Sequence, residues 1–73
     1  MICTVKLVWD AEAEVWITES NDIPGLILGS PSFDKLVERV KMAAPEMLEL
    51  NFGYVGPVNL LFEAERMESA MVS

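Results

Sequence analysis

Histidine is absent from this 73-residue sequence, and cysteine occurs once, as Cys3. Without histidine, the chain lacks the commonest general base and the commonest neutral metal ligand of proteins. A single cysteine can form no internal disulfide, and it excludes zinc sites built from several cysteines. We therefore expect no enzyme activity, no metal and no cofactor. The lone cysteine also fits a reducing, cytoplasmic location, with Cys3 as a small buried residue of a strand.

Basic residues and long apolar segments are also scarce. Five Lys and Arg residues stand against twelve Asp and Glu residues, a net charge of −7. Because nucleic-acid binding requires a basic surface that neutralises phosphates, we expect no direct contact with DNA or RNA. No apolar run reaches the roughly 18 residues of a membrane span, and the N-terminus lacks the basic leader of a secretory signal. An acidic surface suits solubility, or docking onto a basic protein.

Alternating side chains predict two strands joined by a turn. Residues 1–9 and 14–20 alternate in the two-residue period of strands, and the polar stretch 10–13 separates them. Trp9 and Trp16 flank this turn. An even loop would place the two rings opposite each other, whereas a one-residue bulge would put them on different faces, and the pattern leaves both arrangements open.

A dense group of turn-forming residues follows at 20–25. Pro24 fixes its own φ and Gly25 is permissive, which suits a type II turn. The apolar residues 26–28 then predict a short third strand that Gly29 ends.

The clearest helix signal begins after Ser32, whose side chain can cap the first turn. Apolar residues then recur at the three- and four-residue spacing of one buried stripe: Phe33, Leu36, Val37, Val40, Ala44, Met47 and Leu48. Pro45 interrupts this stripe. Because proline removes an N–H and crowds the carbonyl four residues earlier, we expect a kink or break at Ala44–Pro45 and a last helical turn through Leu50.

After a loop at 51–57, residues 58–65 alternate again and predict a final strand. The pattern lapses at 66–73, which we expect to be a frayed tail. The prediction is one α+β domain over residues 1–65, with an antiparallel sheet of three to four strands, one helix across it, and the order β-β-β-α-β.

Carboxylates are the only plentiful reactive groups. A divalent-metal nuclease would need several of them converging from strand centres, and the centre of the first strand has none, so we interpret them as solvated surface. The two tryptophans are either core residues or an aromatic anchor for a partner. The candidate partner-binding residues are Trp9, Asp10, Glu12, Trp16 and Asp22. The candidate structural residues are Pro24, Gly25, Gly29, Ser32 and Pro45.

Three segments carry a resemblance to a known family: residues 8–16 around the two tryptophans, Asp22-Ile23-Pro24-Gly25-Leu26, and Ser32-Phe33-Asp34-Lys35-Leu36. Together they resemble the HicB-like antitoxin superfamily, and within it a branch of small bacterial domains of unknown function. The similarity extends over about residues 3–65. Most of the matching motifs are turn and helix-cap residues.

The resemblance implies a partial ribonuclease-H-like fold without nuclease activity. Its members typically cover the active site of a small basic ribonuclease, a HicA-like toxin with the fold of a double-stranded-RNA-binding domain. Many also carry a DNA-binding module after this domain, but only eight residues follow Glu65 here, so we expect no such module. The alternative function is a homo-oligomeric structural or small-ligand-binding domain, for which Leu61 and the two tryptophans are candidate contacts. Leu61 marks either an apolar edge for dimerisation or a covered second face of the sheet.

Overall fold

Four strands form a mixed sheet, and one helix packs across a single face of it. The structure is a computed structural model that describes residues 1–72, except the side chains of residues 20 and 21. The elements in chain order are β1 (Ile2–Asp10), β2 (Val15–Asn21), β3 (Gly29–Ser30), α1 (Phe33–Phe52) and β4 (Asn59–Glu65). The predicted α+β class and the order β-β-β-α-β are confirmed.

The sheet has the strand order β3-β2-β1-β4. β2 is antiparallel to both β1 and β3, but β4 is parallel to β1. The expected antiparallel sheet is therefore wrong in this detail. The physical reason is the helix: α1 carries the chain back along the sheet, so β4 starts at the same end as β1, as in a strand–helix–strand crossover.

Alternate residues of β1 form the centre of the core. Cys3, Val5 and Leu7 are buried beneath the helix, as expected for Cys3. The helix contributes its predicted apolar stripe, of which the fully buried members are Leu36, Val40, Ala44 and Leu48. Burial of these side chains is the main stabilising contribution in a chain of this size.

The third strand differs from the prediction by about three residues. Residues 26–28 lie in a loop, and the strand comprises Gly29 and Ser30. The Thr18 side chain explains the shift, because its hydroxyl accepts from the backbone N–H of Leu28 and its one O–H hydrogen can be donated to the carbonyl oxygen of either Leu26 or Leu28. This side-chain bonding replaces part of the strand ladder.

The helix begins and ends at well-defined caps. The Ser32 side chain accepts a hydrogen bond from the N–H of Lys35 at 3.3 Å, as predicted. At the other end Gly53 has φ 64°, and its N–H donates to the carbonyl oxygen of Glu49. The helix runs through Pro45 to Phe52, so a break at Ala44–Pro45 is wrong, and the last turn ends two residues after the predicted Leu50. A kink at this position stays a prediction. Packing of the stripe on both sides of Pro45 outweighs the lost hydrogen bond.

The last strand matches its predicted alternation. Leu60 and Phe62 are half-buried on the helix side, whereas Asn59, Leu61 and Glu63 are exposed. Residues 66–72 follow β4. They form neither a helix nor a strand, and all of them are exposed. The fraying of this tail stays a prediction.

Candidate functional site: the tryptophan pair and the acidic turn

Two tryptophans lie side by side at the end of the β1–β2 hairpin. Trp9 is directly opposite Trp16 in the antiparallel register, and their ring centroids are 5.5 Å apart in an edge-to-face arrangement. Trp16 makes a second edge contact, 5.0 Å between centroids, with Phe33 at the start of the helix. Both tryptophans are half-buried. Of the two arrangements that the sequence left open, the structure has the opposed one. Trp16 packs against the core, and Trp9 packs on Trp16.

A guanidinium covers this tryptophan pair, which comprises Trp9 and Trp16. The central guanidinium carbon of Arg66 lies 4.1 Å from the ring centroid of Trp9 and 5.9 Å from that of Trp16. Both distances fall within the range of cation–π attraction, worth about 0.5–1 kcal/mol at an exposed site. Arg66 also donates from Nε to Glu68 at 2.6 Å. The tryptophan pair is thus a surface that accepts a planar cation.

The acidic turn, residues 10–14, joins the two strands beside the tryptophan pair. Asp10 uses its Oδ1 atom to accept hydrogen bonds from the backbone N–H groups of Glu12 and Ala13, which closes the turn. The next residues toward β2 are exposed, and Glu14 adopts the left-handed conformation with φ 56°. Asp10 therefore has a structural role, while the carboxylates of Glu12 and Glu14 face solvent and are free to attract a positive partner.

Asp22 lies apart from the other candidate residues. The register pairs Val5 with residue 21, at the opposite end of the hairpin from the tryptophan pair. The Oδ2 atom of Asp22 accepts from the N–H of Thr4 at 2.8 Å, and its own N–H donates to the carbonyl oxygen of Thr4. These two bonds hold the chain beside the irregularity between Val5 and Leu7. The structure gives Asp22 this structural contact and does not bring it to the tryptophan pair.

The Pro24–Gly25 turn is fixed from the helix side. Gly25 has φ 83°, and a Cβ placed there would lie 2.7 Å from the Cε atom of Met47. The carbonyl oxygen of Pro24 accepts from the side-chain amide of Asn51 at 2.8 Å. At Gly29, by contrast, a Cβ would meet only ordinary contacts, the nearest 3.4 Å away. Its carbonyl oxygen accepts from Arg39, which ties β3 to the helix.

The face of the sheet opposite the helix carries an ion-pair group. Lys6 lies 2.8 Å from a carboxylate oxygen of Glu65 and 3.9 Å from one of Glu19. The hydrogen bond with Glu65, and then the negative charges of Glu65 and Glu19, raise the pKa of Lys6. The same hydrogen bond and the charge of Lys6 lower the pKa of Glu65. These groups are exposed, so they contribute to the pairing of β1 with β4 more than to a reactive site.

Metal sites, membrane-spanning helices and clefts are the other features of residues 1–72 that bear on function. In that part of the chain no three carboxylate or thiol groups are placed to hold a metal ion. Nor does a helix within it have the length and apolar character needed to cross a membrane. Open clefts lie beside the helix, and one of about 220 Å³ is lined by mostly apolar residues of the helix and the following loop, together with Glu49.

Comparison with known proteins places the chain in a family. The model of a family described as a domain of unknown function, DUF1902, matches residues 2–73. The chain belongs to the DUF1902 family. A crystal structure of hypothetical protein TTHA1013, from the extremely thermophilic bacterium Thermus thermophilus, is similar at 35% sequence identity and a TM-score of 0.80. The match covers 96% of this chain and 100% of that one. No curated protein matches this DUF1902 chain.

The tryptophan pair of this DUF1902 domain is predictable from the sequence, but two of its neighbours are not. The sequence pattern places Phe33 only in the helix stripe and Arg66 only in the tail. The contact of Arg66 depends on β4 running parallel to β1, which brings the end of β4 next to Trp9. The available signal was a basic residue directly after the last strand. It indicates a contact with Trp9 only once the direction of β4 is known.

Proposed function

We propose that this DUF1902 domain is a non-catalytic protein-binding module of the HicB antitoxin type, which masks a small basic ribonuclease. The observation that supports this proposal best is Arg66 over Trp9, at 4.1 Å. A surface that already takes a guanidinium from its own chain has the shape and the electron-rich faces to take one from a partner. Arginine is the cation that a basic RNA-binding protein presents most readily for stacking.

The surrounding charge favours the same kind of partner. The acidic turn places Glu12 and Glu14 in solvent next to the tryptophan pair, and the whole chain carries a net charge of −7. Such a field accelerates encounter with a positively charged protein and repels nucleic acid. The turn and helix-cap motifs that resemble HicB-like antitoxins support the proposal independently of the charge. On this proposal the partner is a HicA-like toxin, and the chain has no nuclease activity of its own.

The test uses the product of the neighbouring open reading frame in the source genome, provided that it is a small basic protein. We expect the two purified proteins to bind, with an affinity that falls as salt concentration rises. The chain's only two tryptophans report contact at the proposed site through their fluorescence. Absence of binding at low salt would remove the antitoxin proposal.

Two substitutions locate the contact. Arg66→Ala frees the tryptophan pair, so we expect binding to strengthen about two- to five-fold, the equivalent of one exposed cation–π contact. Glu12→Gln should weaken binding, whereas Glu46→Gln, an equal change of charge on the exposed side of the helix, should change it less. Equal effects of the two glutamine variants would indicate a response to net charge alone. The chain with Mg²⁺ or Mn²⁺ should not cleave RNA.

A further inference from the structure

The longest segment without charge in this acidic chain runs from Leu50 to Phe62. This uncharged surface, residues 50–62, has exposed apolar side chains: Val55 is 80% exposed and Leu61 is 55% exposed. Phe52 is also exposed. Exposed apolar side chains of this size are available for contact with another protein.

The uncharged surface includes an open sheet edge. β4 is the last strand in the order β3-β2-β1-β4, and it is seven residues long, whereas β3 at the other edge has two. Proteins usually protect a long edge strand with lysine, proline or a bulge. β4 contains no lysine or proline and is charged only near its end, at Glu63 and Glu65, and its outer backbone groups face no other strand within residues 1–72. Such an edge is a template for another strand.

The tail extends away from the body of the molecule. Met67 and Met71 are 89% and 93% exposed, and Val72 is exposed as well. The longest dimension is 55 Å against 20 and 18 Å for the other two, and the radius of gyration is 14.1 Å. A compact chain of this length has a radius of about 11 Å. The DUF1902 match extends to residue 73, so the tail belongs to the length that the family shares.

We propose that a second copy of this chain covers the uncharged surface. The two β4 strands pair antiparallel about a two-fold axis, which joins the two sheets into one of eight strands. Repulsion between two acidic chains is weakest where the contact carries few carboxylates, and β4 carries them only near its end, as Glu63 and Glu65. With the axis at Phe62, Glu63 and Glu65 lie opposite the uncharged Leu61 and Asn59 of the second copy. No carboxylate then lies directly opposite another, and only the two Glu63 side chains are diagonal neighbours.

The same pairing gives the tail a place to bind. In an antiparallel pair the end of one β4 lies beside the start of the other, so the tail that follows Glu65 passes the loop 53–58 of the second copy. That loop lines the 220 Å³ cleft. The cleft is formed by Pro45, Leu48, Glu49, Tyr54, Val55, Gly56 and Val58. Met67 and Met71 share one side of an extended tail, and methionine adapts well to irregular apolar surfaces.

The oligomeric state tests the proposal. Sedimentation velocity and native mass spectrometry should give a dimer at about 10 μM chain, a concentration at which a micromolar interface is mostly formed. Leu61→Lys places a charge on the paired edge and should yield a monomer. Ile27→Lys makes the same kind of change at an exposed apolar residue of the β2–β3 loop, and it should stay dimeric. Circular dichroism checks that both variants fold. A monomeric wild type at about 100 μM would overturn the proposal.

A second experiment tests the arrangement of the two copies. Samples that mix methyl-labelled and unlabelled chains should show intermolecular contacts from the Met67 and Met71 methyl groups to Tyr54 and Val55. The double substitution Met67→Asp/Met71→Asp should weaken the dimer about tenfold or more, because it places charge on the apolar contact. A dimer that survives Leu61→Lys, or whose methionine contacts lie elsewhere, would contradict the pairing through β4. Neither outcome depends on a toxin.

Discussion

Individual buried side chains carry most of the stability of a chain this small. Leu36 is fully buried in the first turns of the helix, against the β1 residues. We expect Leu36→Ala to lower the free energy of unfolding by about 2–5 kcal/mol, since it removes apolar contacts and leaves a cavity. Met42→Ala, on the exposed side of the same helix, should change it by less than about 0.5 kcal/mol. Urea denaturation measures both, and a similar loss for the two would contradict the assigned core.

Glycine is required at two positions for different reasons. Gly53 has φ 64° with no atom near the position of a Cβ, so Gly53→Ala adds backbone strain alone and should cost about 1 kcal/mol. Gly25 has φ 83°, and a Cβ there would lie 2.7 Å from the Cε atom at the flexible end of Met47, so Gly25→Ala should add to the backbone strain only the cost of moving that end. Combining Gly25→Ala with Met47→Ala should recover the part due to the contact, which a double-mutant cycle measures. Additive effects would contradict a direct contact between the two residues.

At the scale of elements, the unbroken helix makes Pro45 an unfavourable residue. Pro45 gives no N–H to the carbonyl of Lys41, and its own side chain is exposed. We therefore expect Pro45→Ala to raise the free energy of unfolding by about 1–3 kcal/mol. Pro57→Ala, in a loop, should instead lower it slightly, because the unfolded chain gains freedom. Thermal and urea unfolding measure both, and a destabilised Pro45→Ala variant would contradict the helix as described.

The elements that sequence predicted well are those with a strong local pattern. The Ser32 cap, the helix stripe and the alternation of β4 depend on neighbouring residues, and each was confirmed. The third strand was misplaced because the Thr18 side chain, distant in sequence, bonds the backbone of residues 26–28. The helix break at Pro45 was wrong for a similar reason, since tertiary packing outweighed a local rule.

At the scale of the molecule, strand direction determines what the candidate site contains. The hairpin pattern predicted Trp9 and Trp16 at one turn, but only the parallel pairing of β1 with β4 brings Arg66 over them. The same pairing separates the site from Asp22, which lies at the other end of the hairpin. Long-range pairing has no local signature in a sequence, so the tryptophan pair was predictable and its cation was not.

The parallel pairing also makes stability depend on pH in a defined direction. Lys6 of β1 and Glu65 of β4 form an ion pair that raises the pKa of Lys6 and lowers that of Glu65. Because Glu65 binds a proton less readily in the folded chain, its contribution is complete above its ordinary pKa and disappears as pH falls through the lowered value. The contribution of Lys6 is complete below its ordinary pKa and disappears as pH rises through the raised value. The pair therefore stabilises the fold across the neutral range.

Net charge affects the free energy of unfolding in the opposite direction as pH falls. Protonation of carboxylates relieves the repulsion within a chain that carries a net charge of −7, and this stabilises the fold. Comparison of variants separates the two effects. Urea unfolding at fixed protein concentration should show Glu65→Gln less stable than wild type at pH 7, with the difference vanishing near pH 3. Glu46→Gln, which removes the same charge from the exposed side of the helix, should show no such loss at pH 7. A constant offset for Glu65→Gln at every pH would mean that β1 and β4 are held together without this ion pair.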